Sequence, residues 1–249
     1  MIEVIGGLDI HKLYRDGYCV GELCAEDADR VYAEMTSEAW IPISPNPELV
    51  NRNGDKYYSN RFIAARSLMQ PTNLRSVYAE FMDAVFTWAE PVLKNYAHGD
   101  RALVSAFCGV EGYEMALHTD VGDRSVFDVL LYVGNDLSES TGGALRVCRV
   151  DLNNPFDVQS EHLADIFPRH GLIVVLNKLN PTIFHQALTL TGTGIQRYQL
   201  FSSFGLAELP EWHYDFPETR GFIPSIENLT FNDIDKIQEI LATHAHSTT

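Results

Sequence analysis

The sequence predicts a mostly β protein, a jelly-roll core with flanking helices. Three observations lead there. Between Ala102 and Gly205, short β-rich runs alternate with turn residues, the pattern of a sandwich or barrel. Upstream, two stretches place apolar residues at three- and four-residue steps; near the C-terminus a third follows a capping signal. The length of 249 residues suits one domain. It divides into helical support over 1–100, a jelly-roll core over 101–206, and a loop and helix over 207–249.

Taken in order, Asp16-Gly17-Tyr18-Cys19-Val20 reads as a turn into a strand, and Ala25 to Glu38 as a helix with Ala28, Val31 and Met35 on one face. Ile41 to Tyr58, with Pro42, Pro45, Pro47, Asn51, Asn53 and Gly54, reads as a long surface loop of the kind that borders a site. From Pro71 onward Leu74, Val77, Tyr78, Phe81, Val85 and Trp88 form the stripe of a second helix, which Pro91 kinks or ends. Eight strands follow: Leu103 to Phe107, Tyr113 to His118, Ser125 to Val133, Ala144 to Val150, Leu163 to Ile166, Leu172 to Asn177, Thr182 to Leu188 and Gln196 to Phe204. Gly142-Gly143 and Gly192-Thr193-Gly194 mark tight turns, read as hairpins rather than phosphate loops. Thr230-Phe231-Asn232-Asp233 caps a last helix with Ile234, Ile237, Ile240 and Leu241 buried.

Charge narrows the partners. Lys and Arg number 18 against 34 Asp and Glu, a net charge of −16. That balance repels a phosphate backbone and argues against nucleic acid. It suits either solubility or the steering of a cationic substrate. No apolar run approaches the ~20 residues of a membrane span, and the N-terminus lacks the pattern of a signal peptide, so a cytoplasmic protein with no membrane partner is expected. Cys19, Cys24, Cys108 and Cys148 have neither metal-finger spacing nor the density of a disulfide framework and read as buried or half-buried thiols. The pattern assigns no oligomeric state.

The chemistry lies in His118-Thr119-Asp120, His185 and Arg197. On an extended strand, positions 118 and 120 project to the same face. A third ligand from a facing strand would close one triangular face of a coordination sphere, the two-His-one-carboxylate arrangement of non-haem Fe(II) oxygenases. His185, in the apolar run Ile183-Phe184-His185-Gln186-Ala187, is the candidate, since an uncommitted imidazole there would incur a desolvation cost. The alternative is a satisfied core histidine. Arg197 lies twelve residues beyond His185 in a strand whose alternate members are apolar or aromatic. A guanidinium facing the interior needs an anion, and no acidic residue lies in runs 182–188 or 196–204. A bound carboxylate is the economical partner; an arginine that reaches the surface or a distant Asp is the alternative.

These residues, with Val129-Leu130-Leu131-Tyr132-Val133, Thr141-Gly142-Gly143-Ala144-Leu145-Arg146 and Ile166-Phe167-Pro168-Arg169-His170-Gly171, resemble the prolyl-4-hydroxylase-like branch of Fe(II)/2-oxoglutarate-dependent oxygenases over roughly residues 100 to 205. The resemblance implies a double-stranded β-helix core of the cupin-like kind, with Fe(II) held by His118, Asp120 and His185. It places the far carboxylate of 2-oxoglutarate on Arg197. Tyr132 matches a position whose hydroxyl assists that carboxylate, or else is a core aromatic. With O₂, such enzymes convert 2-oxoglutarate to succinate and CO₂ while hydroxylating, desaturating or cyclising at an unactivated C–H. Asp120, in place of a small residue, argues against the halogenating subgroup. Two departures stand out: Phe107 where protein-prolyl hydroxylases often carry a tyrosine, and a slightly long spacing from His185 to Arg197.

For substrate contacts the candidates are Arg124, Asp123, Arg66, Arg61 and Trp212 with His213 and Tyr214. Arg124 reads as a carboxylate clamp or as a solvated turn residue, and Trp212 as part of a lid or of the packing under the last helix. Three functions compete: an oxygenase of a small molecule, such as an amino acid or biosynthetic intermediate; a prolyl hydroxylase of a protein; and a non-redox jelly-roll binding module or zinc hydrolase. The last lacks an H-E-x-x-H helix.

Overall fold

Asp9 starts the first helix, α1 (Ile10–Asp16), by accepting from the backbone N–H groups of His11 and Lys12 at 2.8 and 3.2 Å. Gly17 ends it at φ +84°, donating to the carbonyl of Leu13. At seven residues this helix is too short to show an apolar period in the sequence. It belongs to a computed structural model that describes residues 2, 4–43, 58–64, 77–93, 101–118, 125–150, 161–178, 180 and 182–205. The second helix, α2 (Ala25–Thr36), buries the three residues expected from its period, Ala28, Val31 and Met35. The third, α3 (Val77–Leu93), buries Val77, Tyr78, Phe81, Met82 and Val85 and continues two residues past Pro91. The apolar faces of α2 and α3 meet one face of the sheet.

Two short strands lead in: β1 (Val4–Ile5) pairs with β2 (Tyr18–Leu23). Ile41–Ile43, expected to be loop, instead belong to β3 (Trp40–Ile43), antiparallel to β4 (Tyr58–Ala64). Pro42 is tolerated because β3 is an edge strand, paired with β4 alone among the described residues. The remainder of that loop, the start of the Pro71 helix, the last helix and the 212–214 aromatics lie outside the described residues.

The core strands are β5 (Arg101–His118), β6 (Ser125–Val133), β7 (Leu145–Arg149), β8 (Glu161–Ile166), β9 (Leu172–Asn177), β10 (Ile183–Ala187) and β11 (Arg197–Gly205). They form one curled antiparallel sheet in the order β1-β2-β9-β6-β11-β5-β10-β7-β8. The first two predicted core strands are thus a single eighteen-residue strand. Its first half pairs with β11 and its second with β10, so β5 is the corner around which the sheet folds over.

Neither glycine turn is a hairpin. Gly142-Gly143 lies between β6 and β7, and Gly192–Gly194 between β10 and β11, yet within each pair the strands bond to other partners. Both carry the chain from one half of the sheet to the other, as a jelly roll requires.

Alternation along the strands then separates two cores. Phe127, Val129, Leu131 and Val133 of β6, with Ile173 and Val175 of β9, pack toward the helices. Leu130 and Tyr132, with Leu172, Val174 and Leu176, pack inward against Leu145, Val147 and Ile183 of the other half. Burial on both faces is why the runs 129–133 and 172–176 read as uninterrupted apolar stretches. The candidate site lies on the inward face.

Candidate active site

His118 ends β5 and His185 sits at the centre of β10, and the two are direct cross-strand partners. The third-ligand histidine therefore comes from the adjacent strand, where a facing one was expected. Their ring centroids are 4.1 Å apart at 57°, and both residues are buried. Nδ1 of His118 lies 2.7 Å from the carbonyl oxygen of Ala116. A carbonyl only accepts, so Nδ1 carries the proton and Nε2 presents the lone pair. Metal-binding imidazoles are oriented by such a bond. Two buried imidazoles at this separation suit a divalent cation. Among the described residues no further His, Cys, Asp or Glu completes a group of three with them. Asp120 lies outside the described residues, as do Asp123, Arg124, Arg66 and Trp212.

Arg197 opens β11 and is 1% exposed. Cross-strand register puts Arg61 of β4, Gly109 of β5 and Arg197 in one row. The next row is Ile63, Phe107, Gln199, Tyr132 and Leu172. Nη1 of Arg197 donates to the carbonyl of Gly143 at 2.7 Å and Nη2 to Oε1 of Gln199 at 3.4 Å. Its Nε is buried and has no hydrogen-bond partner among the described residues. The guanidinium carbon lies 4.2 Å from the ring centroid of Tyr113 and 5.4 Å from that of Tyr132. Two neutral acceptors and two aromatic faces stabilise the cation without neutralising it, so a carboxylate fits the unmet Nε.

Tyr132 is buried beside this guanidinium. Burial pushes its phenol up to about 12, with Arg197 pulling the other way. The hydroxyl is therefore a neutral donor throughout the physiological range. Phe107 faces the same interior, its ring 6.4 Å from that of Phe201. Burial likewise pushes the Cys108 thiol up to about 12, and none of the four cysteines forms a disulfide.

Sequence reasoning missed Gly143, Gln199 and Tyr113. Gln199 was legible as the next inward position after Arg197 on a strand of period two. Tyr113 packs on Gly109, where an added Cβ would lie 2.8 Å from Tyr113 Cγ, a contact with no signature in the sequence.

The curled antiparallel sheet, which carries an imidazole pair and a buried guanidinium, has the fold of the prolyl-4-hydroxylase-like Fe(II)/2-oxoglutarate oxygenases. Among solved structures the chain is similar to a Pseudomonas putida prolyl-4-hydroxylase, at 16% identity over 79% of this chain and 96% of that one, with a TM-score of 0.59. It is similar to a Trichoplax adhaerens prolyl hydroxylase in complex with a hypoxia inducible factor peptide fragment, at 16% identity over 78% and 86%, TM-score 0.55. It also resembles HygX from Streptomyces hygroscopicus with nickel, 2-oxoglutarate and hygromycin B bound, at 16% identity over 82% and 90%, TM-score 0.53. No family model and no curated protein matches the sequence.

Proposed function

We propose that the chain is an Fe(II)/2-oxoglutarate-dependent dioxygenase that hydroxylates, desaturates or cyclises at an unactivated C–H of a small molecule, an amino acid or a biosynthetic intermediate. The observation that carries this reading is the His118–His185 pair on the same inward side of the sheet as Arg197, whose buried Nε has no hydrogen-bond partner among the described residues. His118 and His185 would hold the iron, with Asp120 as the anionic ligand. Bound Fe(II) with 2-oxoglutarate and O₂ supplies the oxidising chemistry, releasing succinate and CO₂. The chain's own part is positioning: Arg197 and the Tyr132 hydroxyl anchor the distal carboxylate of the oxo-acid, and the apolar inner faces of β6, β7 and β9 exclude water.

HygX, a protein of this fold, has hygromycin B bound, which supports a small-molecule substrate. The prolyl hydroxylases of the same fold favour a protein-prolyl alternative, against which Phe107 stands because it offers no hydroxyl to the cavity. The test is anaerobic titration of the Fe(II)-loaded protein with 2-oxoglutarate, in which a weak visible charge-transfer band is expected. Arg197→Leu should weaken that titration by on the order of 100-fold while leaving iron uptake intact, as loss of a charge-assisted contact of ~2–3 kcal/mol requires. No band in the unaltered protein overturns the reading. Succinate release with free amino acids, compared with proline-containing peptides, then separates the two substrate classes.

A further inference from the structure

Phe201 lies in the interior of β11, which runs between β6 and β5, and its row partners Leu130 and Ser105 are both buried. Phe201 nevertheless stays half-buried, with its ring on the inward side against the cluster that holds Leu130 and Leu176. A side chain whose strand is paired on both sides is reached from the face it points to. A cavity therefore lies in front of this ring.

The co-substrate does not fill that cavity. Phe201 is four residues along β11 from Arg197, about 13 Å at the rise of a strand, farther than a five-carbon oxo-acid anchored at Arg197 extends. The imidazole pair lies between these two ends. Ala187 packs with Tyr113, on which Arg197 is laid, whereas Ile183 packs with Leu130, the row partner of Phe201. His185 stands midway between Ala187 and Ile183 on the same strand.

The row around Phe201 sets the chemistry of the occupant. Ser105, Phe201, Leu130 and Val174 carry no charge, and the next charges along this wall, Asp128 and Lys178, pair with each other at 3.4 Å. A carboxylate or ammonium lodged against the row would lose its hydration with no counter-ion there. The ring of Phe107 stands 6.4 Å from that of Phe201 at 61°, an edge contact that leaves ring surface for a third ring. The Arg61 guanidinium lies on Phe107, 3.6 Å from its centroid, and is engaged by the protein itself. The polar side chain of the row is Ser105.

We propose that the cavity in front of Phe201 is the substrate site and that it takes a neutral molecule presenting an apolar ring, with the Ser105 hydroxyl bonded to a hydroxyl or carbonyl on that ring. A ring-bearing biosynthetic intermediate fits this site, and a free amino acid, a zwitterion, does not. Calling the occupant a substrate rests on the function proposed above; the preference for a neutral ring does not.

The test uses the full chain loaded with Zn(II), which is redox-silent, with 2-oxoglutarate saturating. It follows 19F line broadening of fluorobenzene and 4-fluorophenol, which are neutral, of 4-fluorobenzoate, and of the zwitterion 4-fluorophenylalanine. The neutral probes are expected to broaden and the charged ones to stay sharp. Phe201→Ala should weaken 4-fluorophenol on the order of tenfold, and Ser105→Ala should erase its preference over fluorobenzene. A charged probe that binds more tightly than 4-fluorophenol overturns the proposal, as does the absence of broadening for both neutral probes. So does a folded Phe201→Ala that binds 4-fluorophenol as the unaltered protein does. A preference for 4-fluorophenol that survives in Ser105→Ala overturns the part given to its hydroxyl. Should circular dichroism show Phe201→Ala unfolded, Phe201→Leu, which keeps the bulk but not the ring, decides: weakened 4-fluorophenol supports the site and unchanged binding overturns it. Failure of the function itself looks different: the unaltered protein then binds no 2-oxoglutarate in calorimetry, while the neutral probes, added without it, still judge the cavity.

Discussion

Arg197 is held by Gly143: Nη1 donates 2.7 Å to that glycine's carbonyl across 54 residues of chain. Gly143 sits at φ +70°, and an added Cβ would lie 3.0 Å from Leu190 Cδ1 and 3.6 Å from the same Nη1. Alanine there costs about 1–2 kcal/mol in left-handed backbone alone and displaces the carbonyl that aims the guanidinium. Gly143→Ala is expected to lower the melting temperature by roughly 4 °C and to weaken 2-oxoglutarate in calorimetry. Unchanged affinity in the destabilised variant would show that this carbonyl does not set the pose of Arg197.

That contact also marks how far the sequence could be read. Arg197 was legible, because a cation alternating with apolar residues and lacking an acidic neighbour must face inward and seek an anion. His118 and His185 were legible as isolated imidazoles on β strands. The partner that fixes Arg197 was not, since Gly143 announces a turn but not which distant side chain uses its carbonyl. Pairing was equally hidden: each glycine turn reads as a hairpin when strands are taken two at a time, and only the whole sheet shows that they cross between halves. β3 was missed because Pro42 argues against a strand unless its edge position is known.

The imidazole pair has its own test. His185 faces His118 and has no substitute at that point among the described residues, so His185→Ala should reduce Zn(II) or Co(II) affinity by on the order of 100-fold or more in equilibrium dialysis. The Arg197→Leu variant, measured alongside, should bind metal normally. Full metal affinity in His185→Ala would place the metal elsewhere.

Tyr132 offers a test in pH. Its phenol is raised to about 12 by burial, so it stays protonated as pH rises through 9 and donates the same hydrogen bond throughout. Tyr132→Phe should therefore weaken 2-oxoglutarate by a constant factor of about ten, the worth of one hydrogen bond of ~1–1.5 kcal/mol, at every pH from 6 to 9. A factor that grows or vanishes across that range would mean the hydroxyl ionises there, against the direction burial imposes.

Lys178 and Asp128 form an ion pair at 3.4 Å with side chains only 3% and 1% exposed. Asp128 lies on β6 four residues before Tyr132, so both project to the inner face, and Lys178 directly follows β9. The pair therefore ties the start of β6 to the segment that leads into β10 and His185. Removing either charge breaks a buried ion pair, so Asp128→Leu and Lys178→Met should each cost about 3–5 kcal/mol in urea unfolding. The double variant should recover much of that loss, because two apolar side chains carry no desolvation cost. If the two single losses simply add, the charges are not coupled and the strand ends are held by their other contacts. If the double variant regains stability but loses metal affinity, the pair's role is to fix the approach of β10, and with it the angle at which His185 meets His118.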